Sequence, residues 1–271
     1  MNLLVIGSSI AFIAYMLATV AIVSRLFHPK GPNIKLVLSL AIFAIIVHTL
    51  NDAQLFFSTD EQGQQGNINF NLPNVISLVS LLITLSVTIV ALRFKVNLLL
   101  PVIYAFTGIW QLVIIFLPPI ESIPLVVEKV ILLSHIGLAL VAYCVLIIAT
   151  LYTFQVTYIH LKLKNKNLTA VAHLPPLMQV EQQLFSILTL GTAILFISEL
   201  IGFIFLDGFL SAKNAHKTVL SLMAFALYSI ILWGHFEKGW RGHRVLVLMI
   251  SASGLLTLAY FGSRFVKEFI L

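Results

Sequence analysis

Residues 125–158 read LVVEKVILLSHIGLALVAYCVLIIATLYTFQVTY, and Glu128 and Lys129 are the only charged residues among them. A transmembrane helix needs about 20 predominantly apolar residues to cross the hydrocarbon core of a bilayer. At about 1.5 Å per residue, a helix over this whole stretch reaches roughly 50 Å, so we expect its end at residues 152–160 to project beyond the lipid. The stretch predicts a membrane span rather than the core helix of a soluble domain.

Seven further apolar segments accompany this one along the chain. The eight predicted segments are 2–23, 35–57, 74–92, 97–117, 125–158, 183–206, 217–235 and 245–263. The composition agrees with a membrane protein, because 60% of the residues are hydrophobic and 10% are charged, whereas soluble domains contain about 25% charged residues. We therefore predict a single integral-membrane domain over residues 1–271, an all-α, multi-pass bundle of eight transmembrane helices in contact with membrane lipid.

The basic residues predict the orientation of this bundle. Alternate connections contain eleven of the 16 Lys and Arg residues, and the other connections with the C-terminal end contain five. Because cytoplasmic loops carry the excess of basic residues, we expect the first set in the cytoplasm and both termini outside. The net charge of +6 follows from these loops, and nothing in the sequence predicts a nucleic-acid partner. With Cys144 as its single cysteine, one chain can form neither a disulfide nor a cysteine-based zinc site.

Two histidines lie well inside the predicted spans. His48 is about nine residues, or some 13 Å, below the outer end of the second span, and His135 is about ten residues, or some 15 Å, below the same boundary in the fifth. Side chains at one depth can approach one metal from opposite sides, and axial histidines are one means of holding haem iron. The alternative interpretation is that each imidazole is neutral and hydrogen-bonded to a neighbouring helix, and the residues leave both open.

Other polar residues in the spans carry weaker hypotheses. Asn51 and Asp52, one turn after His48, could orient its ring, but we favour the interpretation that they mark the solvated end of the helix. Glu199, in the outer half of the sixth span, could handle protons, but we favour the interpretation that it is a protonated, hydrogen-bonded glutamic acid. Tyr143 is interpreted as a packing residue. The remaining histidines in basic connections are interpreted as solvated, namely His28, His160, His173 and His243.

The C-terminal third contains the most specific sequence patterns. Residues 232–242 read LWGHFEKGWRG, and residues 258–264 read LAYFGSR. Supporting stretches are LLPVIYAF at 99–106, HIGL at 135–138 and PPLM at 175–178. The chain resembles the membrane-spanning cytochrome c assembly family, the CcsA and HemX type of haem-handling proteins, over nearly its whole length.

This resemblance implies a bacterial inner-membrane protein that binds haem of the b type, held non-covalently, and acts in haem handling or in the maturation of c-type cytochromes. His48 and His135 match intramembrane histidines of the family. His235 matches a histidine near the inner end of the penultimate span, although a packing role beside Trp233 and Trp240 stays open. The implied partners are haem-delivery or cytochrome c maturation proteins.

One loop departs from the family pattern. Cytochrome c synthetases of this family carry a tryptophan-rich motif, WGxxWxWD, just before the penultimate span, but residues 207–217 read DGFLSAKNAHK and contain no tryptophan. We therefore expect haem binding without catalytic turnover. His216 lies near the place of an outer-loop haem ligand, but a residue at the start of a helix is the simpler interpretation.

Two other classes of function compete with this one. The intramembrane carboxylates and histidines would serve a small-molecule or ion transporter, although the spans lack the paired Gly- or Pro-broken helices that often mark transporter sites. A membrane regulator or partner protein without haem, acting through its cytoplasmic loops, is the third hypothesis.

Overall fold

The structure is a computed structural model of the chain, and it describes residues 2–26, 31–57, 67–92, 98–117, 124–126, 130–166, 174–206, 215–262 and 265. These residues form eight α-helices: α1 Asn2–Val23, α2 Ile34–Phe57, α3 Leu72–Ala91, α4 Leu100–Phe116, α5 Val130–Lys164, α6 Leu177–Phe205, α7 Ala215–Lys238 and α8 His243–Thr257. A turn of π-helix, Leu258–Gly262, continues α8. Each predicted apolar segment therefore corresponds to one helix.

Seven of these helices are long and apolar enough to cross a membrane, when α8 is counted together with its π-helical turn as His243–Gly262. The exception is α4, whose 17 residues fall just short of that length. Two helices extend six residues beyond one end of their predicted segments. α5 continues to Lys164, where Lys162 and Lys164 lie beside the partial negative charge of the helix C-terminus. α6 begins six residues before the predicted start, directly after the prolines at positions 175 and 176, which are favourable before a first helical turn.

A short β-ladder is a feature that the all-α prediction does not contain. Strand β1, Asn67–Asn69, pairs antiparallel with strand β2, Pro124–Val126, with Ile68 opposite Leu125. The predicted start of the fifth span at residue 125 is therefore wrong, because these residues are extended and α5 begins at Val130. Pairing with β1 satisfies the backbone groups of β2 in an extended conformation, so the helix begins only after this strand.

The chain divides into two compact units, residues Met1–Val127 and residues Glu128–Leu271, here called unit 1 and unit 2. In unit 1, α1 packs against α2 and α4, and α3 packs against the same two helices. Gly108 of α4 faces Tyr15 and Met16 of α1, where a side chain would meet both residues. Small residues at such positions let membrane helices approach closely.

Unit 2 is built on the long pair α5 and α6, with α7 and α8 packed beside them. Two contacts between aromatic rings show that α6 and α7 are antiparallel. His235 stacks on Phe185 near one end, and Phe225 stacks on Phe196 nearer the other. These two contacts set the register of α7, and with it His235, against α6.

The distribution of polar residues is the reverse of that in a soluble bundle. One face of α1 exposes Leu3, Ile6, Ile10, Ile13, Leu17 and Val20, each 40–68% accessible. The interior of unit 1 contains polar side chains instead, among them Ser8, His48, Asp52, Ser77, Thr84, Thr107 and Gln111. An apolar exterior is suited to contact with lipid. Because the hydrophobic effect does not drive helices together within lipid, interhelical hydrogen bonds contribute to their association instead.

Candidate functional site

His48 lies at the centre of unit 1 and has no accessible surface. Its Nδ1 is 3.3 Å from the hydroxyl of Tyr15 on α1, and its Nε2 is 3.0 Å from Oγ of Ser77 on α3. The rings of Tyr15 and His48 meet edge to face, with centroids 6.0 Å apart. Both nitrogens of this imidazole are therefore hydrogen-bonded within unit 1.

Ser77 connects His48 to two further buried side chains. Its hydroxyl donates to Oδ1 of Asp52 at 2.6 Å, and Nε2 of Gln111 donates to the same hydroxyl at 3.1 Å. Oδ1 of Asp52 is also 3.5 Å from Nε2 of His48. We call Tyr15, His48, Asp52, Ser77 and Gln111 the unit 1 polar cluster, and it joins all four helices of that unit.

The protons of this cluster can be assigned from its contacts. The hydroxyl of Ser77 has one proton, which the short contact places in the bond to Asp52, so Ser77 accepts a hydrogen bond from the N–H at His48 Nε2. His48 Nδ1 then accepts from the Tyr15 hydroxyl, and every proton on these three residues has an acceptor. The network therefore fits a neutral His48 whose lone pair, on Nδ1, faces Tyr15.

The interpretation of Asn51 and Asp52 as the solvated end of α2 is wrong. Each is 4% exposed. Asp52 lies against Ser77 and His48, and Asn51 donates to Oγ of Ser8 on α1 at 3.3 Å. The alternative considered for Asp52, that it orients the ring of His48, agrees with these contacts.

His135 lies in unit 2, five residues after the first residue of α5. Because α5 begins later than expected, this histidine is about 8 Å from the start of its helix rather than 15 Å. Its Nδ1 is 2.8 Å from the backbone carbonyl of Ser198 on α6, and the Ser198 hydroxyl donates to the His135 carbonyl at 3.1 Å. A carbonyl only accepts, so Nδ1 carries the proton and the neutral ring has its lone pair on Nε2.

His235 is held by the turn that ends α7. Gly239 adopts a left-handed conformation with φ of 63°, and its N–H bonds to the His235 carbonyl at 3.0 Å. This turn returns Trp240 over Gly234, where no side chain larger than hydrogen would fit. The carbonyl of Trp240 is 3.3 Å from Nδ1 of His235. The imidazole ring of His235 also stacks on the ring of Phe185, with centroids 3.3 Å apart.

Among the other predicted residues that the structure describes, three histidines are exposed and Tyr143 packs against aromatic neighbours. His216 is in the first turn of α7 with an exposed side chain, and His160 and His243 are also exposed. Tyr143 packs against Tyr260 and Phe261 and bonds to Thr257. Glu128, His28 and His173 lie outside the described residues.

Within unit 2, His135 and His235 cannot bind the same iron. Their contacts on α6, Ser198 and Phe185, are thirteen residues apart, which corresponds to about 20 Å along the helix. Two axial imidazole nitrogens must lie about 4 Å apart across the metal. Among the described residues, no group of three or more His, Cys, Asp or Glu side chains could hold a metal ion. His48 belongs to the other unit, and its pairing with His135 stays a prediction.

Comparison with known proteins identifies the family. The family model described as cytochrome C assembly protein matches residues 9–271. This chain belongs to the cytochrome c assembly protein family. The chain is 38% identical over 261 residues to the inner membrane protein YpjD of Escherichia coli strain K12, covering 96% of this chain and 97% of that protein. YpjD of Escherichia coli O157:H7 matches equally.

A more distant relative covers half of the chain. The uncharacterized 28.8 kDa protein in nifR3-like 5'region of Azospirillum brasilense is 29% identical over 140 residues, which are 51% of this chain and 52% of that protein. No solved structure matches this cytochrome c assembly protein. The predicted location, a bacterial inner membrane, is confirmed by the YpjD relatives together with the seven apolar helices.

Sequence reasoning missed most partners of the histidines. Tyr15, Ser77 and Gln111 occur as single polar residues within apolar spans, which is the signal that could have marked them. Tyr15 and Ser77 contact His48, and Gln111 contacts Ser77, across 29 to 34 positions of sequence, so no local pattern reveals them. The backbone carbonyl of Ser198 carries no sequence signal at all.

Proposed function

We propose that this inner-membrane protein of the cytochrome c assembly family binds haem within the membrane and takes part in haem handling. The haem would be of the b type, without a covalent bond to the chain, and His135 would supply an imidazole nitrogen to its iron. Family membership supports the involvement of haem, and the geometry of His135 supports the choice of ligand. The bound group supplies an iron centre that accepts imidazole nitrogens.

The observation that carries this proposal is the contact between His135 Nδ1 and the Ser198 carbonyl. Histidines that bind metals almost always donate their other ring N–H to a carboxylate, a carbonyl or water, which fixes the tautomer and the ring orientation. At 2.8 Å, with a second bond from the Ser198 hydroxyl back to the His135 backbone, Ser198 holds this ring from the neighbouring helix. The donor chemistry of His135 therefore fits haem iron.

His48 fits less directly. In the described conformation its lone pair faces the Tyr15 hydroxyl, and the Tyr15 ring occupies the space beside it. Ligation by His48 would require Tyr15 to leave, while the bond from Nε2 to Ser77, backed by Asp52, would continue to orient the ring. The role of His48 as second ligand remains a prediction, to be tested separately from His135.

The proposal includes no catalytic turnover. The family's synthetases present haem to an apocytochrome through a tryptophan-rich loop, and residues 207–217 offer no tryptophan for such a surface. Binding and transfer of haem need no such loop, so the protein would pass haem to, or receive it from, a maturation partner.

The test is the absorption spectrum of the purified protein with haem added in detergent. We expect a Soret band that shifts on binding and is lost or altered in His135→Ala, because that change removes the proposed axial ligand. His243→Ala is the matched control, since His243 is an exposed histidine at the start of α8, and its spectrum should equal that of the wild type. A full wild-type spectrum in His135→Ala would contradict the proposal. The same measurement on His48→Ala decides the second ligand.

A further inference from the structure

We infer that unit 1 contains a binding site for a sodium ion, between Asp52 of α2 and Gln111 of α4. The site is built from the unit 1 polar cluster and does not depend on the haem ligand proposed in unit 2. It rests on two oxygen atoms that are fully shielded from solvent and have no hydrogen-bond donor among the described residues.

The two oxygen atoms are Oδ2 of Asp52 and Oε1 of Gln111. Asp52 is 4% exposed and Gln111 is 0% exposed. The partner atom of each side chain contacts Ser77 Oγ, at 2.6 Å from Asp52 Oδ1 and at 3.1 Å from Gln111 Nε2. The two side chains that carry the unpaired oxygens therefore contact the same hydroxyl, that of Ser77. A buried acceptor without a donor is costly, which favours an occupant that satisfies both oxygens.

Exchanging the nitrogen and oxygen of the Gln111 amide does not remove this imbalance. The exchange would turn the amide oxygen toward Ser77, whose single proton already lies in the 2.6 Å contact with Asp52. An acceptor without a donor remains in either orientation. The cluster therefore contains fewer hydrogen-bond donors than its oxygen acceptors require.

The charge of the cluster is also uncompensated. The hydrogen bonds of Tyr15, His48 and Ser77 are complete with a neutral imidazole. A doubly protonated His48 would instead leave the Tyr15 hydroxyl proton without an acceptor among the described residues. One carboxylate with a neutral imidazole leaves one negative charge, on a side chain of a residue that is 4% exposed. A buried charge requires a partner of opposite sign.

A single positive charge on a hard ion fits these atoms. Carboxylate, amide and hydroxyl oxygens are ligands for hard cations. One carboxylate balances one positive charge, whereas Ca²⁺ sites use several carboxylates. We therefore assign the site to a monovalent cation and choose sodium as the probe.

The experiment measures thermal unfolding of the full chain in detergent while NaCl replaces N-methylglucamine chloride at constant ionic strength and pH. A ligand that binds only the folded state raises Tm in a saturable way. We expect this rise with sodium, and a concurrent change in tryptophan fluorescence, because Trp110 precedes Gln111 and donates to the Pro73 carbonyl at 3.3 Å.

Variants at the two oxygen donors test the assignment. Asp52→Asn keeps the shape but removes the charge, and it should abolish the response to sodium. Gln111→Leu should raise the sodium concentration needed for half the response by about tenfold, as expected for loss of one ligand. Glu237→Gln is the matched control, because Glu237 is an exposed carboxylate on α7 in unit 2, and this variant should respond like the wild type.

Gln111→Glu decides the question if Asp52→Asn fails to fold. A second carboxylate should transfer the response from sodium to Ca²⁺, a gain that misfolding cannot imitate. The proposal is overturned if Tm is the same in sodium and N-methylglucamine, if Asp52→Asn keeps the full response, or if Tm follows pH alone. The last result would show that a proton satisfies the oxygens.

Discussion

At the scale of single residues, Ser77 is the side chain on which the unit 1 polar cluster depends. We expect Ser77→Ala to lower the free energy of unfolding by about 1–3 kcal/mol, since removal of the hydroxyl leaves buried groups of His48, Asp52 and Gln111 without a partner. Ser86→Ala, on the same helix, is the control. Its hydroxyl is exposed and bonds only to the Leu82 carbonyl, so the change should stay within about 0.5 kcal/mol.

The measurement for this pair is reversible unfolding in mixed micelles at increasing SDS fraction, followed by circular dichroism. Equal midpoints for the two variants would contradict the role of Ser77. If Ser77→Ala lowers the free energy of unfolding and Ser86→Ala does not, the buried polar contacts of unit 1 stabilise it, and the number of serines in α3 does not matter.

The same residues show what sequence could and could not predict about the site. A histidine inside an apolar segment is visible in the sequence, and His48 and His135 were found in this way. Burial of Asp52 was not predicted, because a charged residue near a helix end is normally solvated. Only the tertiary fold brings Ser77 and Gln111 against it. For His135, the deciding partner is a backbone carbonyl, which every residue possesses.

At the scale of the secondary-structure elements, the close packing of α5 against α6 depends on Gly191. A Cβ on Gly191 would lie 2.9 Å from side-chain carbons of Leu146 and 3.1 Å from Cγ1 of Val145. Because Leu146 is fully buried, we expect Gly191→Ala to force the helices apart and to cost about 1–3 kcal/mol of unfolding free energy. The SDS titration measures this cost.

Gly137 provides the matched comparison on α5. It is exposed, and a Cβ there would meet nothing within 4 Å. Gly137→Ala should therefore be neutral or stabilising by up to about 1 kcal/mol, because alanine is the better helix former. If Gly137→Ala were as destabilising as Gly191→Ala, the cost could not be assigned to the contact of Gly191 with Leu146.

The helices themselves were predictable because membrane spans are recognised by length and apolar content. α1 occupies the residues predicted for it, and α2 and α3 agree within two residues at each end. Errors occur where polar residues continue a helix, as in the first turns of α6 at Gln179 and Glu181. They also occur where apolar residues are not helical, as in β2. Hydropathy measures affinity for lipid, and it does not distinguish helix from strand over three residues.

At the scale of the whole molecule, the number of crossings decides the orientation. The basic asymmetry of eleven residues against five predicts both termini outside, which requires an even number of crossings. Seven helices are long enough to span, and α4 has 17 residues, at the short limit of spanning helices. Whether α4 crosses therefore determines the direction in which each helix of unit 2 crosses the membrane.

Fusions to a reporter that is active only in the cytoplasm separate these arrangements. With eight crossings, fusions at Arg93 and Lys166 should be active, and fusions at Gln64 and Ile120 should be silent, because each successive helix changes side. If α4 does not cross, fusions at Arg93 and Ile120 report the same side, and the fusion at Lys166 becomes silent. Activity at Gln64 with silence at Arg93 and Lys166 would reverse the whole orientation. The basic connection after α5 would then lie outside, contrary to the charge distribution from which the topology is predicted.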